Sequence, residues 1–213
     1  MKRFLLLLTW LACGPALAQG GGTGWYVGGG IGSAKADFVQ SDFTALAPAA
    51  AYRADDDDIV GRVFGGYRVA PNFAVEFGIA SLGSYRHRYT SGTDIAVIDY
   101  DASALTVAAA ANLPLAGGFS LNARAGIAFT YAELRERRND NGLANVPFCP
   151  DSWWYSDCTS QSTNLYWGLG AQFDITRNWG IRLDYDNYGE VGEEFETGRA
   201  DIETASVNFV WRF

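Results

Sequence analysis

Alternation between apolar and small or polar residues constrains the fold of this chain more than any other feature. From residue 119 to residue 131 every odd position is apolar, and every even position holds a polar or small residue. Successive side chains of a β-strand point to opposite faces. The pattern therefore predicts a strand with one continuous apolar face.

Seven further segments show the same alternation, which gives eight predicted strands. They lie at residues 25–31, 63–69, 75–79, 105–113, 165–173, 179–185 and 205–213. A tilted strand needs roughly ten residues to cross a bilayer, and the longer of these segments, at 105–113, 165–173 and 205–213, approach that length. We therefore predict an all-β fold, an eight-stranded antiparallel up-and-down transmembrane β-barrel.

Short and long connections alternate between these strands. The short ones lie near residues 71–72, 113–118 and 176–178, and the long ones at 37–58, 84–99, 136–161 and 188–200. Short turns at one end and long loops at the other are typical of a bacterial outer-membrane barrel. The predicted location is the outer membrane of a Gram-negative cell, with four loops outside.

A soluble sandwich or lipocalin-like barrel is the main alternative fold. The outward polar face of such a fold usually carries many charges, but here the polar positions are mostly Gly, Ala, Ser, Thr and Asn. Aromatic residues stand near predicted strand ends, as in the girdles at membrane interfaces. They are Trp25, Tyr67, Trp167, Trp179, Tyr185 and Trp211. The membrane barrel is favoured.

The N-terminus has the layout of a secretory signal. Lys2 and Arg3 precede an apolar run, and Ala16-Leu17-Ala18 forms a cleavage site. The predicted organisation is a cleaved signal at residues 1–18 and a barrel domain at 19–213. No other long apolar run occurs, which excludes a helical multi-span protein. The net charge of −8 argues against a nucleic-acid partner.

Strand parity places a set of charged residues on the inner face. They are Arg62, Arg68, Glu76, Arg124, Arg182, Asp184, Asp186 and Arg212. Isolated charges there would be costly, so ion pairing is expected. An eight-stranded interior is only wide enough for side chains. Structural filling is therefore favoured over an ion pathway.

The sequence FGGYRVAPNFAVEFG at residues 64–78 resembles two strands and the first periplasmic turn of the OmpA transmembrane barrel. The resemblance continues through NAR at 122–124, DITRNWGIRLDY at 174–185 and VWRF at 210–213. It implies the same fold and a structural role in the envelope. The peptidoglycan-binding module of that family is not expected here.

The resemblance also implies that an ionic cluster fills the barrel. Glu76 matches the central glutamate of the family, and Arg124 and Arg182 match two inward arginines. Ala110 and Gln172 stand where the family has an inward lysine and an inward glutamate, so gating by exchange of ion partners is not expected. The predicted lumen ionic network comprises Arg62, Glu76, Arg124, Arg182, Asp184 and Arg212.

The last strand resembles the C-terminal signal that the barrel-assembly machinery reads. The residues that carry this resemblance are Val207, Phe209, Trp211 and Phe213. The expected partners are this machinery during insertion, outer membrane lipids and lipopolysaccharide. The barrel is expected to be a monomer.

The third long loop contains both cysteines of the mature chain, Cys149 and Cys158. Two cysteines in an oxidising compartment predict a disulfide. Between them stand Trp153, Trp154 and Tyr155, three aromatic residues that either bind a surface ligand or pack on the rim and lipid.

Catalysis and metal binding are not expected. The only histidine, His87, has no partner in sequence that would orient it as a general base. The acidic run at residues 55–58 lacks the alternating spacing of a calcium loop. We predict no enzyme activity, cofactor or metal. A structural, surface-facing role is favoured, with a surface adhesin or ligand-binding barrel and a narrow ion channel as alternatives.

Overall fold

A computed structural model describes residues 23–38, 51–55, 57–91, 94–138, 157–192 and 200–213. Within these ranges the secondary structure consists of nine β-strands. They are β1 (Gly24–Phe38), β2 (Ala51–Asp55), β3 (Asp57–Ala70), β4 (Phe73–Ser91), β5 (Asp94–Pro114), β6 (Phe119–Arg138), β7 (Asp157–Asp174), β8 (Trp179–Val191) and β9 (Ala200–Arg212). No helix in these ranges is long and apolar enough to cross a membrane.

The strands close into a barrel in which every pairing is antiparallel. From β3 to β9 each strand pairs with the next, and β1 joins β9 to β3. The short strand β2 pairs with the outer part of β4, beyond the stretch that pairs with β3. Eight strands therefore form the closed wall, and the predicted up-and-down topology is confirmed.

Burial follows the alternation in the sequence. Along β9 the pattern of buried and exposed residues alternates for almost the whole strand, and β8 behaves in the same way. Large apolar side chains such as Ile31, Ile79 and Leu165 are exposed on the outer face. A continuous apolar exterior on a closed barrel is the surface that a lipid bilayer covers.

Aromatic side chains cluster near the periplasmic ends of the strands. Trp179 stacks on Trp211 with ring centroids 5.7 Å apart, and Trp25 packs on Tyr67 at 5.0 Å. A second group includes Trp167 and Tyr185, whose centroids are 5.9 Å apart. All six aromatic residues of the predicted girdles are exposed outside the barrel, where their amphipathic rings suit the headgroup region.

The second long connection is mostly strand, contrary to the expectation of a loop at residues 84–99. Strands β4 and β5 stay in register from Ser84 opposite Asp101 to Ser91 opposite Asp94. Antiparallel pairing continues to satisfy the backbone hydrogen bonds beyond the apolar belt, so the hairpin extends outward. Strands β6 and β7 extend into the third connection in the same way.

A bulge in β4 breaks the strict alternation from which the inward-facing residues were predicted. The register shifts between Ser81 and Gly83, so that Leu82 is unmatched in the ladder and is fully buried. Gly83 has a positive φ of 110°, a region that favours glycine. Beyond the bulge the odd positions turn inward, and Tyr85 is buried against Tyr100.

Apolar side chains fill the extracellular part of the lumen. Tyr85, Tyr100, Tyr188, Leu82, Ile202 and Val191 are the main members of this group, each at most 1% exposed. The Tyr100 hydroxyl donates a hydrogen bond to the Val191 carbonyl at 3.2 Å. The lumen therefore has an apolar layer above a charged layer.

Candidate functional site: the lumen ionic network

Six buried charged side chains meet in the middle of the lumen, contributed by β3, β4, β6 and β8. The cations are Arg62, Arg124 and Arg182, and the acids are Glu76, Asp184 and Asp186. All six are at most 5% exposed. Equal numbers of opposite charges reduce the cost of removing these groups from water.

Glu76 occupies the centre of the network and contacts all three arginines. Its Oε1 accepts a hydrogen bond from Arg62 Nη2 at 3.0 Å, and its Oε2 accepts one from Arg182 Nη1 at 3.0 Å. The Tyr26 hydroxyl also donates to Oε2 at 3.0 Å, and Arg124 Nη1 lies 3.8 Å from Oε1. This single carboxylate therefore links β4 to four other strands of the barrel, β1, β3, β6 and β8.

The two aspartates of β8 complete the network. Asp186 accepts hydrogen bonds from Arg62 Nη1 at 2.5 Å, from Arg124 Nη2 at 2.9 Å and from the Tyr166 hydroxyl at 2.6 Å. Asp184 accepts from Arg182 Nε at 2.8 Å. Charge-assisted bonds of this kind are stronger than neutral ones, so the carboxylates fix the arginines in place.

Glycines in β7 make room for these aspartates. Gly168 lies opposite Asp186 in the strand register, and Gly170 lies opposite Asp184. A Cβ atom added at either glycine would overlap the Oδ1 atom of the facing aspartate. The alternation of glycine with Trp167 and Leu169 thus places small residues inward where the acids need space.

Phe64 contributes an aromatic face to the network. The guanidinium carbon of Arg182 lies 4.0 Å from the centre of its ring, and that of Arg62 lies 5.0 Å away. Both distances fall within the range of cation–π attraction. The ring therefore supports two arginines whose hydrogen bonds point to Glu76.

The structure brings together five of the six residues that the sequence analysis assigned to the network. Arg212 lies apart, nearer the periplasmic end, where it forms an ion pair with Asp174. Alternation identifies the inner face but not the height along the barrel axis, which explains this separation. Asp186, expected only to face inward, is a full member.

Sequence reasoning missed the neutral members of the network. Tyr26, Tyr166 and Asn208 hydrogen-bond to its carboxylates, and all three are buried. They occupy inward positions of their strands, so parity could have identified them. A search confined to charged residues passes over them.

Only some of the remaining predicted sites lie within the described residues. Val207, Phe209, Trp211 and Phe213 are all exposed on the outer face of the barrel. Three predicted features lie outside the described residues: the signal at residues 1–18, Cys149, and the aromatic run Trp153, Trp154 and Tyr155. Cys158 is described only as a strand residue of β7. The described part of the chain contains no group of three or more potential metal ligands.

A closed barrel with a lipid-facing exterior and a charged, packed lumen defines the class of integral outer-membrane β-barrels. The family model described as OmpA-like transmembrane domain matches residues 22–213. The chain therefore belongs to the OmpA-like transmembrane domain family. The expectation from the sequence motifs is confirmed.

Solved structures of outer-membrane barrels are similar in fold. Neisserial surface protein A is 14% identical with a TM-score of 0.56, and the match covers 90% of this chain and 99% of that one. Ail, the attachment invasion locus protein of Yersinia pestis, is 14% identical with a TM-score of 0.52, over 91% and 100%. OprG from Pseudomonas aeruginosa is 14% identical with a TM-score of 0.52, over 92% and 99%. No curated protein sequence matches the chain significantly.

Proposed function

We propose that this outer-membrane barrel is a non-conducting structural protein that presents its outer strands and loops at the cell surface. The observation that carries the proposal is the filled lumen. The ionic network occupies its middle, and the apolar layer around Tyr85 and Tyr100 closes its outer part. Catalysis forms no part of this function.

Ion passage would require several contacts to break together. Arg62 bonds both Glu76 and Asp186, and Arg182 bonds both Glu76 and Asp184. Moving either arginine aside breaks its bonds to two buried acids at once and leaves three buried acids with only two cations, which is strongly unfavourable. The network therefore acts as a stable filling of the lumen.

Planar-bilayer recording tests the non-conducting state. We expect the refolded wild-type protein to give no discrete single-channel currents, because the lumen is blocked at two levels. Insertion is verified on the same preparation by the heat-dependent gel shift and by protease protection in vesicles. Reproducible current steps from protein that passes both controls would contradict the proposal.

A second function, binding of anionic surface ligands, is supported by rows of arginines on the extracellular strand extensions. In the strand register Arg86 of β4 and Arg135 of β6 both lie opposite Asp99 of β5. Two residues away along β5, Arg88 and Arg137 both lie opposite Val97 and form a second row. Strands two apart are separated by about 10 Å, so each row holds two arginine positions close enough for one polyanion to bind both.

Phosphate groups of lipopolysaccharide have the chemistry that such rows would recognise. Guanidinium groups bind phosphate and sulfate oxygens in a bidentate manner. Ail, which shares this fold, has been crystallised with the heparin analogue sucrose octasulfate. That complex makes a sulfated sugar a suitable soluble probe for the same chemistry here.

Calorimetric titration with sucrose octasulfate at low salt tests the arginine rows. We expect the variant Arg86→Gln/Arg88→Gln/Arg135→Gln/Arg137→Gln to bind at least about tenfold more weakly than wild type, because it loses four charge-assisted contacts. The matched control is Arg177→Gln, which removes one cation from the turn at the opposite end. Equal affinities for wild type and the fourfold variant would exclude this site.

Four sequence-based predictions support the same function and remain proposals. Residues 1–18 would direct export, and the apolar C-terminal residues would be read by the barrel-assembly machinery. A disulfide between Cys149 and Cys158 would close a ring around Trp153, Trp154 and Tyr155. That ring would present rigid aromatic side chains to a surface ligand or to the lipid headgroups.

A further inference from the structure

A small cavity lies in the lumen at the periplasmic end, below the ionic network. Its volume is about 20 Å³, enough for one or two groups of the size of water. The short side chain of Ala110 and the neutral side chain of Gln172 line it. No long charged side chain from either of these two positions extends into the space.

The lining of this cavity is positively charged. Arg68, Arg124, Arg182 and Arg212 all line it, and no aspartate or glutamate of the described ranges does. Arg182 and Arg212 each have an acidic partner elsewhere, whereas no described residue forms an ion pair with Arg68. Arg68 therefore has no acid of the described ranges in direct contact, and Asp174, whose charge acts on Arg68, is already paired with Arg212.

Buried hydrogen-bond donors also lack partners at this place. Arg124 uses Nη2 to bind the aspartates of β8, but its Nη1 atom has no hydrogen-bond partner, although the side chain is only 1% exposed. The lining residues Asn122 and Arg212 have unpartnered donors at Nδ2 and Nε, and one acceptor of the lining, Asn112 Oδ1, is unpartnered as well. Buried donors without partners are rare and costly, so a group that accepts hydrogen bonds is expected there.

We propose that the cavity binds a small inorganic anion from the periplasmic solution. Water would satisfy the hydrogen bonds of Arg124 and Asn122 but would not neutralise Arg68. An anion does both, and its attraction to the arginines is strengthened by the low dielectric constant of the lumen. This site shares Arg124 and Arg182 with the ionic network but adds Arg68, Asn122 and Arg212, which lie outside it, and it is independent of ligand binding at the cell surface.

Phosphate titration of the refolded protein tests the proposal. A maltoside detergent is used because it contributes no phosphate, and gluconate keeps the ionic strength constant. We expect a saturable calorimetric isotherm with one site and a parallel rise of the thermal unfolding midpoint. Chloride is titrated in the same way, and a saturable response to either anion supports the site. A linear response to both anions, without saturation, would overturn the proposal.

Two variants locate the binding. Arg68→Gln should lower the affinity for the anion at least tenfold. Arg177→Gln, in an exposed turn outside the cavity, should keep wild-type affinity. Asn122→Asp should abolish saturable binding and raise the unfolding midpoint in gluconate, because it supplies an anion from the chain itself. Wild-type affinity in a folded Arg68→Gln or Asn122→Asp protein would overturn the assignment.

Discussion

The variant Glu76→Gln is expected to lose about 3–5 kcal/mol of its free energy of unfolding, the cost typical of removing one partner from a buried ion pair. Three arginines converge on this carboxylate, and two of them hydrogen-bond to it. Glutamine keeps the shape of the side chain but leaves one positive charge of the network uncompensated in the centre of the barrel. The loss is measured by equilibrium urea unfolding in lipid vesicles, followed by tryptophan fluorescence.

Asp201→Asn is the matched control for this prediction. Asp201 is an exposed acid of β9, and its pKa is raised by partial burial and by the carboxylates of Glu190, Asp37 and Glu203. The charged form is therefore disfavoured, and its neutralisation should leave stability unchanged or slightly higher at neutral pH. Equal stability of Glu76→Gln and Asp201→Asn would show that the network does not hold the barrel together.

The variant Gly30→Ala is expected to prevent closure of the barrel or to destabilise it severely. A Cβ atom at Gly30 would overlap the Val207 carbonyl oxygen of β9 and would lie 2.7 Å from the Asn208 Cα atom. Overpacking commonly costs about 1–3 kcal/mol and can cost more. Here the obstacle is backbone, which cannot move aside as a flexible side chain does. The measurement is the fraction of protein that shows the heat-dependent gel shift after refolding.

Gly61→Ala is the control because it makes the same change on the outer face. An added Cβ at Gly61 meets no atom within 4 Å. Alanine also lowers the conformational entropy of the unfolded chain, so the variant should be as stable as wild type or slightly more stable. Efficient refolding of Gly30→Ala, with a yield equal to that of Gly61→Ala, would contradict the close approach of β1 and β9.

The contrast between these two glycines shows where sequence reasoning ends. Strand parity places Gly30, in the glycine run at residues 28–30, on the inner face and Gly61 on the outer face, but parity does not show how closely a neighbouring strand approaches either glycine. Gly30 faces the packed seam where the first strand meets the last, whereas Gly61 faces outward. Their difference depends on pairing between residues that are far apart in the chain.

The sequence by itself determined the fold class, the eight strands of the barrel wall and, except beyond the bulge in β4, the inner face of each strand. Alternation with a period of two is a local property, and contact of one face with lipid preserves it along the strands except at the bulge in β4. The motifs around residues 64–78 and 174–185 likewise identified the family. Both kinds of information can be read from neighbouring residues alone.

Only the tertiary structure decided how the inward residues are distributed along the barrel axis. The stagger between strands brings Glu76 to Arg62 and Arg182 and leaves Arg212 with Asp174. The same stagger creates the cavity between Arg68 and Arg124, and the bulge at Leu82 turns Tyr85 inward. These features depend on the register between strands and on closure of the barrel, which are set by contacts among all eight strands. The sequence of a single strand therefore does not predict them.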